Sequence, residues 1–116
     1  QNIASNYGGK ANIKFKSIAP PVYNDPELTS LLSTCAKNFM DEENIVYLEN
    51  PSLGAEDFAF FLQDVPGTMF RLGVAGDQGC APLHSGYFSL DERSLELGIN
   101  ILSQALVMAS KSPKVI

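Results

Sequence analysis

Two consecutive prolines, Pro20 and Pro21, divide this sequence before any other feature is considered. Each lacks a backbone N–H and holds φ near about −65°, so neither a helix nor a central strand runs through them. Residues 1–20 and residues 21–116 are therefore expected to be separate structural pieces. The 116 residues suffice for one ordinary domain and are too few for two with independent cores. The shorter piece is then part of something small, and the longer piece part or all of something larger.

Upstream of the prolines, Gln1–Tyr7 has the register of a helix end, stopped by Gly8-Gly9. Gln1 opens the chain as though inside an element. Ala11–Ile18 alternates, with Ile13 and Phe15 on one face and Asn12, Lys14 and Lys16 on the other, which predicts a half-buried strand. Downstream, Asn24-Asp25-Pro26 is a helix start: an Asn or Asp cap, then proline at the first helical position. Leu28, Leu31, Leu32, Cys35 and Phe39 continue at helical spacing to about Met40.

Ile45–Leu48 is a short β-type run, and Ala55–Leu62 a short helix. Thr68–Val74 is the most strand-like remaining segment, and residues 75–88 form a glycine-rich loop. A last helix is expected from Ser89 to about Lys111, opened by a Ser89/Glu92 capping box and ended by Ser112-Pro113. Its apolar stripe is Leu95, Ile99, Leu102 and Leu106, widened by Leu97, Ile101 and Ala105, so it should be buried over much of its girth. Strands alternating with helices after Pro21 give an α/β reading, a sheet covered by helices.

The composition narrows the class. Hydrophobic residues at 45% and charged residues at 18% are those of a globular chain rather than a disordered one. A net charge of −5 with scattered Lys and Arg argues against a nucleic-acid partner. No apolar run reaches the length of a membrane span, and no secretory signal is visible. Two widely spaced cysteines, Cys35 and Cys80, do not make a disulfide framework and fit a reducing, cytoplasmic setting.

Few residues carry chemistry. His84 is the single histidine and lies in the long loop, in the run Cys80-Ala81-Pro82-Leu83-His84-Ser85-Gly86-Tyr87-Phe88. Imidazole there serves as metal ligand or general base, or is merely a solvated or capping side chain. Glu56 and Asp57 either support a metal site or sit in a first helical turn, where each gains about 0.3–1 kcal/mol from the helix dipole. Cys80 with His84 suggests a thiolate–imidazole pair, without a third member to orient it. Cys35, on an apolar helix face, reads as core.

Ligand arithmetic is decisive. A catalytic zinc site takes about three protein ligands, and a two-metal site takes more. One His, one candidate Cys and scattered carboxylates, with neither H-E-x-x-H nor C-x-x-C, do not supply them. If His84 binds metal, its partners come from a second chain or from a further stretch of the same polypeptide.

Three motifs in order, Gly54–Phe61 (GAEDFAFF), Pro66–Gly73 (PGTMFRLG) and Pro82–Phe88 (PLHSGYF), followed by a long helix, resemble the C-terminal signature of a metalloenzyme group. The group is the N-acyl-amino-acid amidohydrolases of metallopeptidase family twenty: hippurate hydrolases, bacterial aminoacylases and plant indole-acetyl-amino-acid hydrolases. Ile18–Pro26 (IAPPVYNDP) resembles the point where that family's chain leaves its lid domain.

The resemblance implies a zinc-peptidase-like α/β catalytic domain, of which 21–116 is the C-terminal part. Residues 1–20 would end an α+β lid through which members often form homodimers. It implies that His84 is a metal ligand, that Glu56, Asp57 and Ser85 support the active site, and that no catalytic residue lies in this chain. Gly86 departs from the family's usual proline. The full enzyme would use two divalent ions, Zn2+ or else Mn2+, Co2+ or Ni2+, to hydrolyse N-acyl amino acids or small peptides. The remaining ligands and general base would lie N-terminal to this chain, which alone would be metal-free and inactive. Two other readings are a non-catalytic module binding through Ala11–Ile18 and a Cys80–His84 hydrolase.

Overall fold

The computed structural model describes residues 2–111. Among the described residues the helices are α1 (Asn2–Asn6), α2 (Pro26–Ala36), α3 (Phe58–Phe61) and α4 (Arg93–Ala109), with a 3-10 turn at Glu42–Asn44. The expected helix end at Ser112-Pro113 lies outside the described residues.

The start of α2 follows from its sequence. Asp25 is the N-cap, its Oδ1 accepting from Leu28 N at 2.9 Å, with Pro26 next in line. Asn24 is spared for another task. Its side-chain amide bonds both Met69 N (2.9 Å) and Met69 O (2.8 Å), and Asp25 N donates to Gly67 O at 2.8 Å. Segment 67–69 is thereby fastened beside the head of α2. The helix proper ends at Ala36, earlier than its apolar spacing suggests. The chain reaches Met40 through tighter turns, with Phe39 N on Ala36 O at 2.9 Å.

The long helix starts later than the Ser89/Glu92 box predicts. Glu92 stands at the N-cap position without a side-chain cap bond, and Asp91 caps instead. Its Oδ1 accepts from Arg93 N at 3.0 Å, and its carbonyl accepts from the Ser94 hydroxyl at 2.6 Å. Of the expected apolar face, the widening residues Leu97, Ile101 and Ala105 are the ones that pack into the core. Ser94, Gly98 and Ile101 are the buried residues of α4, and the seam is Leu32 and Ala36 against Ile101, with Ala105 packed beside it. Cys35 Sγ donates to Met108 Sδ at 3.5 Å along it. One residue further round, Leu95, Ile99, Leu102 and Leu106 remain 48–70% exposed.

The alternating segment 70–76 lies over this pair with Phe70, Leu72, Val74 and Gly76 turned in and Arg71, Gly73 and Ala75 out. Gly98 permits the approach, since a Cβ there would come within 2.9 Å of Leu72 Cδ2. An open apolar groove of about 380 Å3, lined by Leu28, Leu31, Met69, Leu102 and Leu106 among others, runs between α2 and α4.

The predicted sheet is not formed among the described residues. Ala11–Ile18, Ile45–Leu48 and Thr68–Val74 are not assigned as strands, and the one β-bridge joins Gly76 to Gly79. The physical reason is that a strand exists only against a neighbour about 4.8 Å away, and no such neighbour is present. The same deficit appears in size. A compact domain of this length has a radius of gyration of about 13 Å, whereas this chain has 19.9 Å. Phe15, Ile18, Tyr47 and Leu53 are largely exposed.

Candidate functional site

The loop from Val74 to Asp91 carries the single histidine. Its ends are tied where Asp91 N donates to Val74 O at 2.9 Å. Gly79 N donates to Gly76 O at 2.8 Å with Gly79 at φ +78°, making the first bend. Cys80 Sγ then lies 3.0 Å from Ser89 O and 3.3 Å from Ala81 O, two carbonyls that compete for its single thiol proton. No hydrogen bond joins Cys80 to His84, so the thiolate–imidazole pair is not assembled.

At the tip, Ser85 N donates to Pro82 O at 3.0 Å, closing a turn with His84 at its third position. His84 has φ 72°, the only positive φ at a non-glycine among the described residues. A positive φ at that position belongs to a type II turn, where glycine is the usual occupant. A side chain there costs about 1 kcal/mol. Ser85 continues the structure: its Oγ accepts from Tyr87 N at 3.1 Å and its carbonyl from Phe88 N at 3.1 Å. Two successive turns thus meet at Ser85, and the His84 side chain stands exposed beside them.

Glu56 and Asp57 are exposed at the head of α3. Glu56 Oε1 accepts from Phe58 N at 3.3 Å, and its carbonyl accepts from Ala59 N at 3.2 Å. Asp57 occupies the N-cap position without a side-chain bond. Glu56 thus bonds locally at the head of α3, and Asp57 stands beside it with no cap bond from its side chain.

The residue that sequence reasoning missed is Asp91. Arg93 Nε donates to both its carboxylate oxygens, at 3.0 and 2.9 Å, and these bonds hold the Asp91 carboxyl below its ordinary value. The signal was available as D-x-x-S, with Ser94 buried three residues on. Elsewhere, burial pushes the Cys35 thiol up.

Among the described residues no three His, Cys, Asp or Glu side chains converge to hold a metal ion. One imidazole fits the part of a single donor, and the set needed for a centre is not present. Nor is any helix among the described residues long and apolar enough to cross a membrane.

The profile of Peptidase family M20/M25/M40 matches residues 2–108. A Synechocystis protein named "Probable hydrolase" is 40% identical over 106 residues, covering 90% of this chain and 27% of its own. Thermostable carboxypeptidase 1 of Saccharolobus solfataricus is 37% identical over 116 residues, 97% of this chain and 28% of its own. An N-acetyldiaminopimelate deacetylase of Pediococcus pentosaceus is 40% identical over 88 residues, 74% of this chain and 21% of its own. No solved structure gives a significant match. The chain spans about a quarter of the length of these curated relatives. With the family profile covering nearly all of it, this chain belongs to Peptidase family M20/M25/M40.

Proposed function

We propose that this chain is the C-terminal part of a metal-dependent amidohydrolase that cleaves the amide bond of N-acyl amino acids or small peptides. It contributes His84 as one donor to a centre of divalent ions, zinc in the first instance. The other donors and the general base come from polypeptide outside these 116 residues. Residues 21–116 belong to the catalytic domain, and residues 1–20 end a lid that also serves a homodimer. The chain's own part is to present the imidazole, with Ser85 shaping the turn beside it and Glu56 and Asp57 setting the head of α3. Taken alone, the chain neither binds metal tightly nor hydrolyses substrate. The setting is a reducing, cytoplasmic one, in keeping with two free thiols.

The observation that carries this reading is the backbone of His84. A protein keeps an unfavourable φ where surrounding structure imposes it, and such residues cluster at functional sites. Here the strained residue is also the sole imidazole, and it is exposed on a loop tied at both ends. The family membership and the hydrolases among its relatives supply the reaction class.

The test is a chimaera in which this chain replaces the aligned segment of the Synechocystis relative. It should hydrolyse members of an N-acyl-amino-acid panel, and His84→Ala should reduce turnover by at least about a hundredfold. Unchanged turnover in the variant would refute the donor role.

A second reading has one observation in its favour. Phe15 is 95% exposed on a run without assigned secondary structure, as a segment that recruits another strand would be. A non-catalytic binding module would keep its partner after Phe15 is left intact and His84 removed.

A further inference from the structure

The loop around His84 is closed twice. Val74 and Asp91 make the outer tie. The inner tie is Cys80, whose thiol proton goes to Ser89 O at 3.0 Å, with Ala81 O at 3.3 Å as the competing acceptor. Between Cys80 and Ser89 lie both turns that meet at Ser85, and with them the left-handed His84. Hydrogen bonds within those turns fix their internal shape and do nothing to hold their ends together. A strained φ persists only where the ends are held. Cys80 is half-buried, and the bond from its thiol to the Ser89 carbonyl lies at the exposed rim of the loop.

We propose that Cys80 is a positioning residue for His84: its thiol, donating to the Ser89 carbonyl, keeps the neck of the loop closed and so keeps the imidazole on its left-handed backbone. The functional weight of this rests on the reading of His84 as a metal donor, whereas the geometric claim does not. The role needs a donor at position 80 and no sulfur chemistry, which separates it from a nucleophilic cysteine. Serine should serve in place of cysteine, and alanine should not.

The experiment uses the 116-residue chain and its Cys80→Ser and Cys80→Ala variants, observed by NMR. The readouts are the His84 carbon shifts and coupling that report a positive φ, and amide exchange at Ser85 and Phe88. In Cys80→Ala the positive-φ signature should disappear, and both amides should exchange about threefold faster or more, with α4 amides unaltered. Cys80→Ser should retain the signature and the protection. A Cys80→Ala chain that keeps both would overturn the proposal, as would a Cys80→Ser chain that loses them. Should Cys80→Ala unfold α4 as well, the serine variant alone decides. Failure of the metal-donor reading shows elsewhere, as metal retained by His84→Ala in the chimaera, so either claim can fall without the other.

Discussion

The seam between α2 and α4 and the loop that carries His84 are built on opposite physical terms. The seam is chiefly a burial structure: Leu32, Ala36 and Ile101 leave water together, with the Cys35–Met108 contact added along it. The loop buries little and is drawn into shape by hydrogen bonds, one of which supports a residue in a conformation it disfavours. The difference teaches where each kind of residue is constrained. In the seam any well-fitting apolar group serves, whereas at position 84 a more comfortable residue is available and is not used.

Substitution can break that comparison, and the largest effect belongs to the seam. Ile101→Ala should destabilise the chain by about 2–5 kcal/mol, read from urea unfolding followed by circular dichroism. Asp25→Ala removes the cap of α2 and should lower stability by about 1 kcal/mol in the same assay. His84→Gly should act in the other direction, raising stability by up to about 1 kcal/mol by relieving the left-handed φ. A loss of stability there would mean that His84 is not strained. Leu106→Lys, on the bare stripe of α4, should change stability by no more than about 0.5 kcal/mol, because the side chain is already 70% exposed.

The smallest effect is one of pH. Bonds from Arg93 hold the Asp91 carboxyl below 3.8, so its folded value lies under its unfolded one. The contribution of the pair is then complete above about pH 4 and fades as acid carries the pH down through the depressed folded value. Unfolding midpoints of the wild type and Asp91→Asn should differ at pH 6 and converge towards pH 2.

How far these features were legible in the sequence differs between the two regions. The Asn24-Asp25-Pro26 start was readable because a cap acts within one turn of chain. Its second half, Asn24 reaching Met69, was not, since it depends on a partner 45 residues away. The periodicity of α4 identified a helix, and its widening residues Leu97, Ile101 and Ala105 pack into the core while the main stripe stays exposed. Apolar residues occupy two adjoining stripes, and spacing does not say which one meets α2. The strand-like composition of 68–74 predicted a strand, but it did not reveal that no ladder partner would be present among the described residues. At the site, His84 stood out by being alone in a long loop. Its positive φ was hidden, because Pro82-Leu83-His84-Ser85 has no glycine to announce such a turn.

In the proposed enzyme His84 donates to a metal whose other donors lie outside this chain. The most direct test is the zinc content of the Synechocystis chimaera after dialysis, compared between His84 and His84→Ala proteins of equal helicity. Zinc should be bound in the first and reduced by at least half in the second, with the isolated 116-residue chain retaining none. Equal zinc in the two chimaeras would contradict the donor role of His84.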